Sequence, residues 1–455
     1  MSQHVPHGPP PTPPPGVGPT HPGCGPPGPG SPPERHRPGR RGLLIGGVAA
    51  TLALLLCAGA GAGVVVAWRV LPTPQPDHLA VVWSTPAPPD RRDLPRTYAT
   101  WVGADVVVRA TADGVRAYRL ADGDPAWTVP LPDGERICAA AIGSSGHHGV
   151  FAHGGHRCDR IGVVDLRSGE RTVTVRIPLP EYAAEPPRGY RLLAAGEVAV
   201  FDDEATITAV GLGDGTIRWR QEKGDCAAEV YAMSAERVLM DRRCLSGEGT
   251  YLVGVDPATG ESRFEALLGQ RTTVQNVVSV DPVVAVVNPT RSPDVVVATF
   301  DPQGRRTVEI PVRAPGRALD FASTSAETGE PGASPSGMVV RDGVLFAVNQ
   351  ADRGRVAAFD LTDGTPTWTQ QEGDGQTRIL RVDDRGVWVT RQAAGSTGLV
   401  LVEAGTGAAT LLGRGLPEEV GPSTGPAFEH DGYLVLTAGP RPADREPLVV
   451  VARWR

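Results

Sequence analysis

Lysine is almost absent from this chain. Of its 44 lysines and arginines, 43 are arginine and one is Lys223. That bias reads as genome composition, a high-GC source, and not as chemistry. A surplus of basic charge is also missing: 51 acidic residues outnumber the cations and the net charge is −7. This excludes a general nucleic-acid binder, which carries a basic face. Aromatic residues make up 5%. The six cysteines include no Cys-x-x-Cys pair, so the usual thiolate half-site of a structural zinc is lacking. Long amphipathic helical patterns give way to 57 glycines and 45 prolines, which fit many short strands joined by turns.

What is present divides the chain into four stretches. Residues 1–41 hold 15 prolines, 8 glycines and almost nothing large and apolar. They read as a disordered tail, partly polyproline II, which lacks the apolar surface to offset its ordering entropy. The run Pro9–Pro15 reads as a spacer, with docking to an aromatic groove as the alternative. Gly23-Cys24-Gly25-Pro26-Pro27-Gly28 matches a dinucleotide fingerprint as text only, since its prolines remove the amides a phosphate needs. Residues 42–68 contain no charge, enough for the ~20 apolar residues that cross a bilayer. Arg35, Arg37, Arg40 and Arg41 precede this segment and Arg69 follows it, which predicts a single uncleaved transmembrane helix with a cytoplasmic amino terminus. A cleaved signal peptide and a twin-arginine signal are competing readings of that segment, as is a lipoprotein signal, which Leu56 before Cys57 opposes. A proline-stiffened stem, 69–78, leads to a folded body at 79–455, expected on the extracytoplasmic side of the cell membrane.

The body repeats. A polar turn ending in glycine recurs at Gly123, Gly169, Gly215, Gly260, Gly304, Gly364 and Gly407, at intervals of 46, 46, 45, 44, 60 and 43 residues. Each interval accommodates four strands of ~5–6 residues, and the glycines fall where a tight turn needs positive φ. Four strands per ~45 residues, repeated radially, predicts an all-β fold, a β-propeller. After Gly407 only three strand-like runs follow: 426–430, 433–437 and 448–453. The isolated strand around Val82 and Trp83 supplies the missing outer strand. The expectation is therefore an eight-bladed propeller, four antiparallel strands per blade, whose last blade is closed by the N-terminal strand so that no seam edge remains open.

Units such as Asp256-Pro-Ala-Thr-Gly260 followed by Phe264, and turns followed by Trp127, Trp219 or Trp368, resemble the pyrroloquinoline-quinone (PQQ) type of propeller repeat, a WD40-like architecture. The resembling families include quinoprotein alcohol dehydrogenases and the BamB-type outer-membrane assembly scaffold. The resemblance implies that Trp83, Trp127, Trp219 and Trp368 are braces between blades. It also sets the requirements of the enzyme alternative, a PQQ- and Ca²⁺-dependent dehydrogenase: a tryptophan floor, adjacent disulfide-linked cysteines above it, and a Glu/Asn/Asp calcium site. No adjacent cysteines occur and no residue of that cradle transfers; Trp101 and Trp388 alone fall where they face either the channel or the core. The resulting expectation is a non-catalytic, membrane-anchored propeller without cofactor. Its role would be a protein-binding scaffold or sensor in the cell envelope, with a protein or peptide partner.

Two further features carry expectations. Within blades two and four the antiparallel return of the second strand brings Cys138 beside Cys158 and Cys226 beside Cys244, which predicts two disulfides; Cys24 and Cys57 stay unpaired. His147, His148, His153 and His156 form the one candidate transition-metal cluster, against the plainer reading of a glycine-rich turn, and no carboxylate is spaced to orient their rings. The 60-residue interval places surplus chain at 313–336, read as a disordered insertion or a binding finger with Asp320-Phe321 as its distinctive pair.

Overall fold

The computed structural model describes residues 78–85, 96–141, 147–179, 189–203, 205–244, 249–270, 272–289, 294–321, 337–393, 395–417, 427–437 and 448–454. The tail at 1–41, the apolar segment at 42–68 and nearly all of the stem lie outside them. Among the described residues no helix is long and apolar enough to cross a membrane.

The body consists of eight four-stranded antiparallel sheets. Seven are consecutive in the chain, at residues 97–130, 136–176, 191–222, 226–269, 272–311, 338–369 and 376–417, and are numbered blades 1 to 7. Blade 8 takes Ala427–His430, Tyr433–Thr437 and Val449–Arg453 from the carboxy-terminal end and Ala80–Ser84 from the amino-terminal side. Ala80 pairs with Arg453 and Trp83 with Val451, antiparallel. The seam is packed as well as hydrogen-bonded: Val107 and Leu120 of blade 1 share a buried cluster with Val435, Val449 and Val451 of blade 8. The ring closes as the repeat arithmetic predicts.

Side-chain patterning explains the layering. Second strands such as Val106–Thr111 are buried along their whole length, since neighbouring blades cover both faces, and they read as continuous β-branched runs. Outer strands alternate: Arg306–Pro311 buries Val308 and Ile310 and exposes the residues between them. Each blade core is thus half of a two-blade cluster, and the ring holds itself together by seven further clusters of this kind.

The turn glycines carry the inter-blade contact. All seven have φ between +67° and +78°. A Cβ on Gly123 would stand 2.6 Å from the Trp83 ring, one on Gly169 2.5 Å from Trp127, one on Gly260 2.8 Å from Trp219, and one on Gly407 2.5 Å from Trp368. Each tryptophan therefore leaves an outer strand and lies flat on the turn of the next blade, where only glycine fits. Three indoles also donate to a carbonyl of that turn: Trp83 to Leu120 at 2.9 Å, Trp219 to Pro257 at 2.8 Å and Trp368 to Ala404 at 2.8 Å. Trp127 Nε1 is buried without a partner. All four tryptophans are braces.

The surplus chain between blades 5 and 6 is a correction in part. Residues 313–321 are not a free loop: Arg313–Ala314 and Arg317–Ala318 pair as a small hairpin. Asn349 ties it down, its Oδ1 accepting from Ala318 N at 2.8 Å and its Nδ2 donating to Gly316 O at 3.0 Å. Leu319 is buried beneath it. Residues 322–336 lie outside the described ones.

Candidate functional site

Four antiparallel strands return the chain to the end from which it set out, so every inner strand starts at the same end of the ring. One end therefore carries the connections between blades and those between second and third strands. The other carries the first-to-second connections and the glycine turns. We call these the loop face and the turn face. The glycine turns are regular: Asp165 accepts from the amides of Arg167 (2.9 Å) and Ser168 (2.8 Å), and Asp256 from those of Ala258 (2.8 Å) and Thr259 (3.0 Å). The loop face is irregular and chemically varied.

Both disulfides belong to the loop face. Cys138 near the start of blade 2 joins Cys158 after its second strand, with the Cα atoms 6.2 Å apart. Cys226, first residue of blade 4, joins Cys244 directly opposite it on the second strand, with Cα atoms 4.0 Å apart. Each closes a connection that the ladder alone leaves open. Cys158 is buried, whereas Cys226 and Cys244 are half-exposed.

The histidine cluster does not assemble. His148 and His153 stand at opposite ends of the strand His148–Gly154, which at ~3.3 Å per residue separates them by roughly 16 Å. His147 and His148 therefore sit on the turn face and His153 and His156 on the loop face. His147 Nε2 is 3.0 Å from Arg167 Nη2, and His156 is exposed. Among the described residues no group of three or more His, Cys, Asp or Glu is arranged to hold a metal. The expectation that no carboxylate orients these rings is also corrected. Glu135 Oε2 lies 2.7 Å from His153 Nδ1, and Glu135 is matched in turn by Arg160. The Glu135 contact favours a protonated ring, but that carboxylate is already neutralised by Arg160. Burial first and the Arg171 charge second prevail and lower the His153 pKa to about 4. His153 is a neutral, oriented ring inside the blade.

A buried polar network, missed in the sequence, bridges blades 3 and 4 on the loop face. Lys223 Nζ donates to Asp202 Oδ1 at 2.6 Å, and both side chains are almost wholly buried. Asp202 Oδ2 also accepts from Val230 N at 3.3 Å. Arg191 pairs with Glu229 and donates to Val230 O at 3.0 Å. The Tyr231 hydroxyl lies 2.9 Å from Glu229 Oε2 and 3.0 Å from Val274 O of blade 5, linking a third blade. Beneath them Asp241 is fully buried, with Arg243 Nε 3.1 Å away but too poorly aligned for a hydrogen bond. Burial pushes the Asp241 carboxyl up to about 7. The only trace of this network in the sequence was the isolated lysine, which composition explained too easily.

The quinone alternative meets different geometry. Trp101 and Trp388 are fully buried between blades. Trp101 donates to Ala141 O at 2.7 Å and Trp388 to Asp383 Oδ2 at 2.9 Å. Neither forms a floor in the channel, and each disulfide joins cysteines on separate parts of a blade. These residues do not fit a PQQ cradle.

A ring of eight four-stranded blades defines a repeat-built β-propeller. The match of residues 112–370 to the sequence profile described as "outer membrane protein assembly factor BamB" (PQQ_2) spans more than half of the chain. The chain belongs to that family of PQQ-type repeat propellers. No curated protein gives a significant match. Among solved structures, the computationally designed Ika8 protein superposes with a TM-score of 0.54 at 12% identity, covering 83% of this chain and all of that one. The C-terminal WD40 domain of Sif2 gives 0.49 at 9%, covering 83% and 98%. Hsv2 of Kluyveromyces lactis gives 0.41 at 10%, covering 71% and 99%. The likeness to Ika8 is one of fold.

Proposed function

We propose that this protein is a non-catalytic scaffold or sensor of the cell envelope, held in the membrane by residues 42–68 with its propeller outside, which captures a protein partner on its loop face. The observation that carries this reading is the asymmetry of the disc. The hairpin at 313–321, both disulfides and the buried Lys223–Asp202 and Arg191–Glu229 pairs collect at one end, while the other end carries the seven glycine turns. Variable loops on a rigid frame are where binding function concentrates. Two structural disulfides agree with an oxidising compartment. The family's name, an assembly factor of the outer membrane, supports a protein partner in the envelope.

In-cell photo-crosslinking tests it. A photoreactive residue at Leu267 or Gln221 on the loop face is expected to capture a defined protein, and one at Asp122 or Asp214 on the turn face is not. Capture from the turn face alone, or from neither, overturns the reading. Dye-linked alcohol oxidation by the purified chain supplied with PQQ and Ca²⁺ overturns its non-catalytic part.

A further inference from the structure

The ring leaves eight outer strands as sheet edges, and unpaired edges invite strand addition unless charge, proline or a bulge blunts them. All eight carry a bulge against their third strand. Seven add a second guard. Pro125–Pro130 has proline at both ends, Arg171–Arg176 has arginine at both ends, and each of the other five contains an arginine, a glutamate or a proline. The eighth, Ala80–Ser84, reads Ala-Val-Val-Trp-Ser and has neither charge nor proline. Val81 and Val82 are 43% and 37% exposed, unusual for valines in this protein. Strand addition to the rim is already realised next to it: His78 bridges Arg414 of blade 7 in parallel, and Leu79 N donates to Arg414 O at 3.0 Å.

We propose that Ala80–Ser84 is a homodimerisation edge, pairing antiparallel with the same strand of a second copy. Three points favour a copy of this chain over another occupant. The strand is self-complementary, because antiparallel pairing centred on Val82 sets Val82 against itself and Val81 against Trp83, and brings no like charges together. It follows directly on His78 and Leu79, which already add to the outer strand of blade 7. It begins twelve residues beyond the apolar segment 42–68, so two copies anchored in one membrane present the same strand from the same side. Five residues bury far less than the ~1,200 Å² of a stable interface. Pairing therefore draws on the effective concentration that anchoring provides, and to that extent it rests on the membrane reading above.

The test uses the full chain in native membranes, with Cys24→Ser and Cys57→Ser removing the unpaired thiols. Val82→Cys under mild oxidation is expected to give a reducible dimer. Thr172→Cys, an exposed position on the guarded outer strand of blade 2, is expected to stay monomeric. Val82→Lys should reduce co-precipitation of two differently tagged copies roughly tenfold, with an unchanged melting temperature because residue 82 is bulged and exposed. Absence of the Val82→Cys dimer, or equal dimer from Thr172→Cys, overturns the proposal. Fractionation of the same sample reads the anchor separately. If the chain is soluble, the anchor is refuted and oxidation of concentrated purified Val82→Cys chain decides the pairing alone.

Discussion

Replacing the four brace tryptophans one at a time by phenylalanine separates what the indole ring does from what its N–H does. In all four, phenylalanine keeps an aromatic face on the turn glycine of the next blade and loses a similar part of the ring. In Trp83→Phe, Trp219→Phe and Trp368→Phe a hydrogen bond of 2.8–2.9 Å to a turn carbonyl also disappears. In Trp127→Phe nothing disappears, because that N–H is buried without a partner. A net hydrogen bond contributes ~1 kcal/mol, and an orphaned buried donor costs at least as much. The first three variants should therefore each be ~1–2 kcal/mol less stable than Trp127→Phe. The compact unit is residues 72–455. At ~2.1 cal/mol/K per residue its unfolding entropy is ~0.8 kcal/mol/K, so the gap corresponds to ~1–2 °C in the calorimetric midpoint. Replicate scans of the four variants against the parent resolve that. If Trp127→Phe lies at or below the other three, the carbonyl bonds are not what distinguishes the braces and the account of the turn is wrong.

Other expectations follow from the same contacts. Gly169→Ala forces a Cβ to 2.5 Å from the Trp127 ring at φ +73° and should cost ~1–3 kcal/mol by overpacking, read as a lower melting temperature. Mapping of unreduced peptides should find Cys138–Cys158 and Cys226–Cys244, and Cys138→Ser with Cys158→Ser should cost ~3 kcal/mol for a closed loop near 20 residues. The pKa of His153 is lowered in the folded chain, so the unfolded chain binds the extra proton; stability is full above ~6.5 and falls as pH drops towards about 4. His153→Gln should flatten the melting temperature between pH 7 and 5. Asp241 has the opposite sign: its folded pKa is raised to about 7, so the carboxyl favours the fold when protonated and that stability is lost as pH rises from ~4 through 7. Asp241→Asn should melt higher than the parent at pH 8 and lose that advantage at pH 5.

The fold was legible because the turn constrains the sequence so tightly. A glycine with positive φ admits few substitutes, four of the seven also lie under an indole, and their recurrence at 43–46 residues, with one interval of 60, reveals both the unit and its number. The closing strand could be read from a deficit, three strands at one end and one at the other, and the disulfides from strand direction once blades were assumed. Every one of these features is local in the chain or repeats at a fixed period. Residues 313–321 were misread because a hairpin held by one asparagine, Asn349, leaves no periodic trace.

The loop face was illegible for a related reason. Asp202, Lys223, Glu229 and Asp241 belong to two blades and three kinds of element, and in the sequence each is an ordinary charged residue between apolar runs. Burial gives them their character, and burial there is set by the neighbouring blade. The histidines show the converse. Their proximity in the chain implied a cluster, yet one extended strand carries the two pairs to opposite faces and leaves His153 to a carboxylate thirteen residues before His148. In a radial repeat, short separations along the chain report position within a blade, while chemistry on a face is assembled across blades. A search for binding residues in this family should therefore compare equivalent positions in adjacent repeats, as Arg191 of blade 3 and Glu229 of blade 4 illustrate, and give little weight to residues that are merely close in sequence.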